Sequence, residues 1–223
     1  MPMRRIRNKP SDPFFSSVLL LLHLDGFNNG TTFPDSSSFN HTITRVGDVV
    51  ISTAQSKFGG SSGFFDGVGD YLTLPTSTAF NVGTGAFTVE FWFYSNGSPT
   101  SRELFKPGGA GTSNGFGVSA SNILQWWKDG TGAILSSSTS IAANTWYHVA
   151  VCKSAIGVMR LFLNGVQQGS SVSNSDTFNF SGWTIGRGAF NSQWNGWIDE
   201  FRVSQIERYT ANFTLQPVAF PDS

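Results

Sequence analysis

Ile185–Phe213 reads IGRGAFNSQWNGWIDEFRVSQIERYTANF. Gly, Asn and Trp crowd its first third, as in a loop. From Gly196 it alternates like a strand, with every second side chain on one face. The alternation then slips, because the apolar residues Ile198 and Phe201 stand three apart around Asp199-Glu200. One extra residue in a strand is the signature of a β-bulge. An aromatic tail follows, through Tyr209 and Phe213. A loop, a bulged strand and a tail that folds back describe the edge of a β-sandwich.

The rest of the chain agrees. Strand-length apolar segments bounded by Gly, Asn, Asp, Ser or Pro recur near 18–24, 43–53, 62–66, 70–74, 86–94, 101–106, 115–119, 122–128, 132–137, 145–154, 157–164, 166–169, 182–187 and 196–204. Helical periodicity is nearly absent. Asn164-Gly165 between Arg160–Leu163 and Val166–Gln168 is a strong hairpin signal, since both turn residues must take positive φ. In Phe87–Tyr94, Phe87, Val89, Phe91 and Phe93 share one face, while Thr88, Glu90, Trp92 and Tyr94 share the other. The expected fold is all-β: a two-sheet antiparallel jelly-roll sandwich of about 12–14 strands. Its organisation is expected to be a basic arm at 1–13, one domain at 14–204 and an extension at 205–223 that packs back through Tyr209, Phe213 and Phe220.

Composition narrows the function. The 223 residues carry 14 Lys and Arg against 14 Asp and Glu, a formal net charge of zero. Phosphate binding needs clustered basic residues, and the one cluster is Arg4, Arg5, Arg7 and Lys9 in the arm, so nucleic acid is not expected as a partner. The single cysteine, Cys152, rules out an internal disulfide and reads as a buried thiol. Val18–Leu24 is far shorter than the ~20 apolar residues of a membrane helix. It also ends at Asp25 without a small-residue cleavage site, so neither membrane insertion nor a signal peptide is expected. It reads instead as a strand buried on both faces.

Five segments together resemble the laminin-G-like, concanavalin A-like lectin-glucanase jelly-roll family. They are Leu19-Leu-Leu-Leu-His-Leu-Asp-Gly26, Phe65-Asp-Gly-Val-Gly-Asp-Tyr-Leu72, Phe87-Thr-Val-Glu-Phe-Trp-Phe93, Asn144-Thr-Trp-Tyr-His-Val-Ala150 with Arg160-Leu-Phe-Leu-Asn-Gly165, and Gly196-Trp-Ile-Asp-Glu-Phe-Arg-Val203. The fold carries lectins, hydrolases and adhesion modules alike. More narrowly, the opening strand with Thr32-Phe-Pro-Asp-Ser-Ser36 and the closing Arg208-Tyr-Thr-Ala-Asn-Phe213 are similar to jelly-roll domains of phage virion proteins: tail fibres, appendages and capsid-surface proteins. That similarity implies a virion protein made in the host cytoplasm. Its partners would be host-surface glycans, other virion proteins and copies of itself. The alternative is a structural capsid or tail decoration protein whose interfaces bind other virion proteins.

Sugar sites pair an aromatic face with planar amides or carboxylates. The candidate ligand-binding residues are Arg187, Asn191, Gln193, Trp194 and Asn195 in one loop, with Trp127. Trp126 and Trp127 are adjacent, so a strand sends them to opposite faces and at most one joins the core. For a metal, Ca²⁺ takes six to eight oxygens, and Gly-rich turns such as Gly59-Gly60 can offer carbonyls beside acids. The resemblance implies a structural calcium joining the first and last strands, with Asp25 and Asp199 at the matching positions. Otherwise these acids cap turns.

Catalysis is not expected. A retaining glycosidase needs two carboxylates ~5 Å apart. Glu90, Glu103, Glu200 and Glu207 show no alternating acidic pattern, and His23, His41 and His148 have neither zinc spacing nor a serine elbow beside them.

Overall fold

The computed structural model of the chain describes residues 11–106, 115–128, 130–188 and 192–223. Among these the strands are β1 (Val18–Leu22), β2 (Thr44–Val46), β3 (Val50–Ser52), β4 (Ser62–Asp66), β5 (Tyr71–Thr73), β6 (Asn81–Gly83), β7 (Phe87–Ser95), β8 (Arg102–Lys106) and β9 (Gly115–Val118). They continue as β10 (Ile123–Lys128), β11 (Gly132–Ser140), β12 (Trp146–Lys153), β13 (Val158–Leu163), β14 (Val166–Ser173), β15 (Phe178–Asn179), β16 (Thr184–Ile185) and β17 (Asn195–Ser204). Helical structure among the described residues is confined to two three-residue 3₁₀ turns.

Two antiparallel sheets form the sandwich. The larger runs β14-β13-β12-β7-β17-β4-β3, with β1 pairing β17; the smaller runs β11-β10-β9-β8-β16-β5-β2. A short β15-β6 pair stands apart. The expected all-β jelly roll is therefore the observed architecture. The segment at 43–53 is two strands, because Gly47 turns the chain at φ +72° against Asp70 and the Gly69 carbonyl. The segment at 166–169 runs on to Ser173. The β6–β15 pair escaped the sequence reading, since strands of two or three residues are too short to show a period.

The core lies between the sheets and is largely aromatic. Phe87, Val89, Phe91 and Phe93 of β7 are fully buried, as their shared face requires. Phe91 stacks on Phe201 at 5.0 Å and meets Phe105 edge-on at 5.8 Å. Phe105 stacks on Trp183 at 5.3 Å. Each such ring, fully buried, contributes about 1.5–3 kcal/mol. β1 is covered on both sides: Leu19, Leu20 and Leu22 join the main core, while Val18 and Leu21 pack with Phe220.

β17 carries the bulge. Its pairing with β7 slips between Asp199 and Arg202, and Glu200 takes φ +53°. The extra residue returns Phe201 to the core face that Ile198 occupies, and both are fully buried.

The other face of β7 is buried beneath the chain ends. Glu90 Oε1 accepts hydrogen bonds from Arg202 Nε and Nη2 at 3.0 and 2.8 Å, and Tyr209 donates its hydroxyl to Oε2 at 2.9 Å. His148 Nε2 lies 3.4 Å from the same carboxylate. Asp12 joins from the other end, bound by Arg202 at 3.1 Å and Arg208 at 2.7 Å. Burial pushes the Glu90 carboxyl up, but Arg202, His148 and Arg208 outweigh it and hold it well below the usual carboxylate range. Phe213 packs on Phe162, and Phe220 covers the Arg202 guanidinium at 3.8 Å. Cys152 is buried under the same cover; burial pushes its thiol up to about 12.

Candidate functional site

The site begins with an alternation in β9. Phe116 and Val118 point into the core and are fully buried. The outward positions are Gly115 and Gly117, so this strand presents no side chain to the outer face of the smaller sheet. Gly117 cannot be replaced cheaply, because a Cβ there would overlap the backbone of Arg102 and Glu103 on β8. The neighbours supply the walls. Gly117 pairs with Glu103 on one side and Gln125 on the other, and Gly115 pairs with Trp127. The result is a cleft of about 460 Å³ lined by Ser101, Glu103, Val118, Ser119, Ala120, Ser121, Gln125, Trp127 and Ser192. Gln125 donates from Nε2 to Ser136 Oγ at 3.2 Å, which fixes its amide plane.

The two adjacent tryptophans divide as strand geometry demands. Trp126 is fully buried against Phe105 and Phe87. Trp127 is half-buried on the cleft wall. An aromatic side wall, a carboxylate, an amide and several hydroxyls together make a surface able to pack a pyranose ring and bond its hydroxyls.

The 187–195 loop borders this cleft by a different set of residues from those expected. Ser192 lines the cleft and donates its hydroxyl to the Ser101 carbonyl. Gly188 lies so close to the Glu103 carboxylate that a Cβ would overlap it. Arg187 and Gln193 bridge to each other across the loop but face the 66–71 turn: the Arg187 guanidinium sits 4.7 Å over the Tyr71 ring, and Gln193 Oε1 accepts from the Gly69 N–H. Asn195 opens β17 and accepts from Asn96 Nδ2 at 3.4 Å. Trp194 requires a correction. Its ring is fully buried, edge-on to Phe93 at 5.6 Å, and offers no face to a ligand. The backbone is pinned there by Trp194 N–H donating to the Gly186 carbonyl at 2.8 Å, which turns the indole inward. Asn191 lies outside the described residues. Sequence reasoning missed Glu103, Gln125 and the serines, although the Gly-Phe-Gly-Val alternation of β9 announced a bare outer strand.

The two candidate metal residues meet one loop. Asp199 is fully buried; its Oδ2 accepts from the Lys57 and Phe58 N–H groups at 2.7 and 3.1 Å. Asp25 sits against Gly59 and accepts from Ser61 Oγ at 3.4 Å. The 57–61 loop thus links Asp25, three residues past the end of β1, to the bulge of β17. Asp199 Oδ1 has no hydrogen-bond partner among the described residues. Burial, with Glu200 and Asp25 near, pushes this carboxyl up to about 8. An orphaned, buried carboxylate oxygen beside a second acid fits a cation. Among the described residues, however, no group of three or more His, Cys, Asp or Glu side chains could hold a metal ion. A calcium here would therefore draw most of its oxygens from backbone carbonyls and water.

Two further acids, Asp70 and Glu200, hold backbone N–H groups. Asp70 accepts from the Asp48 and Asp66 N–H groups, and Glu200 accepts from the Phe220 N–H at 2.7 Å and contacts His23 Nδ1 at 2.8 Å. No helix among the described residues is long and apolar enough to cross a membrane.

Comparison with known proteins places this geometry. No curated protein sequence matches the chain. Among solved structures, the binding domain of botulinum neurotoxin DC in complex with rat synaptotagmin II superposes with a TM-score of 0.65 at 16% identity, covering 88% of this chain and 50% of that one. A botulinum neurotoxin type C structure, described as entering cells through two ganglioside molecules, gives 0.66 at 16% identity over 88% of this chain and 49% of that one. The chain thus spans about half the length of these neurotoxin chains. Domain 4 of AbnA, an extracellular arabinanase from Geobacillus stearothermophilus in complex with arabinotriose, gives 0.62 at 16% identity, covering 90% of this chain and 95% of that domain. At such identities the likeness is one of fold. The laminin G-type family model described as concanavalin A-like lectin/glucanases superfamily matches residues 66–211, more than half of the sequence, and the chain belongs to that family.

Proposed function

We propose that the chain is a non-catalytic glycan-binding module of a phage virion surface, and that the Trp127 cleft takes a sugar residue of a host-surface glycan. The observation that carries this reading is the glycine-floored cleft with Trp127, Gln125 and Glu103 on its walls. Family membership supports it, as do the ganglioside and arabinotriose named for two structures of the same fold. Among the described residues the cleft lining holds a single carboxylate, Glu103, where hydrolysis would call for two. The virion setting rests on the similarity of the opening and closing segments to phage jelly rolls.

One shallow site of this size binds at about mM, near −4 kcal/mol. Several copies on a homo-oligomer or a particle raise the avidity by orders of magnitude. A glycan array probed with the multimerised protein is the direct test. Wild type is expected to bind a restricted set of glycans, and Trp127→Ala to lose them by tenfold or more while keeping its fold. A blank array with the multimer would sink the proposal.

The reading includes a structural calcium held by Asp199 and Asp25 at the 57–61 loop. The Asp199 oxygen that has no hydrogen-bond partner among the described residues supports it.

A further inference from the structure

The outer face of the larger sheet carries a row of aromatic rings. Trp146, Tyr94, Trp197 and Phe64 stand directly opposite one another on four adjacent strands, β12, β7, β17 and β4. Each ring meets the next: Trp146 and Tyr94 lie 5.5 Å apart between centroids, Tyr94 and Trp197 5.5 Å, Trp197 and Phe64 4.8 Å. Their planes are inclined by 53°, 81° and 41°, so faces and edges alternate along the row. Trp197 is 9% exposed and forms the base, while Trp146, Tyr94 and Phe64 are half-buried beside it.

The protein's own cover stops one row short of these rings. The next row on the same face is His148, Trp92 and Asp199. Phe58 meets Trp92 edge-on at 5.8 Å, the Lys57 ammonium lies 4.1 Å over that indole, and Phe220 meets His148 edge-on at 6.3 Å. On the other side of the aromatic row, Asn96 follows Tyr94 and Asn195 precedes Trp197 by two residues, and their amides bond at 3.4 Å. Within the row, the Tyr94 hydroxyl and the Trp146 indole N–H have no hydrogen-bond partner among the described residues.

We propose that this row is a second glycan-binding surface, which takes an uncharged linear glycan lying across the strands. It goes beyond the Trp127 cleft and does not depend on it, because the cleft opens on the smaller sheet. With strands ~4.8 Å apart, the row is about 15 Å long and one side chain wide, the shape of a short sugar chain. Ring faces are negative and pack on the C–H faces of sugar rings, while the Tyr and Trp polar tips bond sugar oxygens. Every group in the row itself is uncharged. A second copy of the chain would need about 800 Å² on each partner for a stable contact. A single row of half-buried rings, bounded by the 57–58 segment and Phe220, is far narrower than that.

The experiment labels the full chain with fluorotryptophan and follows the fluorine resonances, each assigned by a single phenylalanine substitution. Cellohexaose, xylohexaose and maltohexaose are titrated separately to about 10 mM, above the ~mM affinity of a shallow site. At least one is expected to move the Trp146 and Trp197 resonances saturably, in wild type and in Trp127→Ala alike. The resonances of Trp126 and Trp183, fully buried in the core, should stay in place. Tyr94→Ala is expected to weaken this binding about fivefold or more. Should that variant fail to fold, the wild-type titration decides alone. A still Trp146 resonance with all three sugars overturns the second surface, and movement of Trp127 in the same titration leaves the cleft reading standing. Movement of Trp146 without Trp127 does the reverse. A Trp146 resonance that moves with protein concentration instead of with sugar makes the row a contact between copies and overturns the glycan.

Discussion

Trp126 and Trp127 have the same chemistry and adjoining places in the chain, yet they do opposite work. The pleat of β10 sends one ring into the core and the other to the cleft wall. Truncating each separates stability from function. Trp126→Ala empties a fully buried site and is expected to cost about 3–5 kcal/mol. Trp127→Ala exposes a position already half in solvent and is expected to cost less than ~1 kcal/mol. Urea titration followed by circular dichroism measures both. A large loss from Trp127→Ala would make that ring structural and remove it from the cleft argument. The division was legible from sequence because adjacency on a strand forces it. Which of the two was core was not, since that depends on strand register. Trp194 shows the same limit. A loop with Gly, Asn and Gln suggested an exposed ring, but the bond from Trp194 N–H to Gly186 turns it into the core. The aromatic-loop signal identified the right neighbourhood and the wrong ring.

At the scale of the element, β17 was the most readable strand and its environment the least. The three-residue spacing of Ile198 and Phe201 announced the bulge, which the slip between Asp199 and Arg202 bears out. Nothing local announced that Glu90, alone in its strand, would meet Arg202, Arg208, Tyr209, His148 and, through the arginines, Asp12. Those partners lie more than a hundred residues away in places, and only the folded topology brings them together. The network fastens residues 205–223 and the 11–14 segment over the larger sheet. Burial raises both carboxyls, but the arginines, with the Phe14 N–H at Asp12, hold Asp12 and Glu90 below their ordinary values of 3.8 and 4.5. A carboxyl depressed in the folded state contributes stability that is complete above its unfolded pKa and is lost as pH falls toward the folded one. Acidification below pH ~4 is therefore expected to loosen the terminal segments first, read as new protease cleavage within 205–223. Glu90→Gln removes one of the two carboxylates paired with the buried Arg202, leaving Asp12, and is expected to cost up to about 3–5 kcal/mol at pH 7. It should also flatten the acid dependence. Equal cleavage of wild type at pH 7 and pH 3 would show that the network does not fasten these segments.

Across the whole molecule the two outer faces have different roles. The larger sheet carries residues 11–15 and 205–223 on its outer face, and the smaller one keeps its cleft open. The 57–61 loop touches Asp199 in the bulge of β17, an interior strand of the larger sheet, and Asp25 beyond β1, so first strand, last strand and loop converge on one acidic point. A fully buried carboxylate with an unpartnered oxygen destabilises a fold unless a proton or a cation satisfies it. A proton does so at the expense of the charge, as the upward shift of Asp199 to about 8 implies. A calcium ion would do so while keeping the charge and would bind the folded state alone. At ~100 times its dissociation constant it would stabilise by about 2.7 kcal/mol. For a chain of this size that is a rise in Tm of about 5–10 °C. The expected result is a higher Tm in millimolar calcium than in EDTA, reversible on dialysis. Asp199→Asn should abolish the shift, because its amide oxygen can still accept from Lys57 and Phe58 but carries no charge for the ion. Identical melting of wild type in calcium and in EDTA would remove the metal. Asp199 would then stand as the protonated cap of the 57–58 turn, and the convergence of the two strand ends would rest on hydrogen bonds alone.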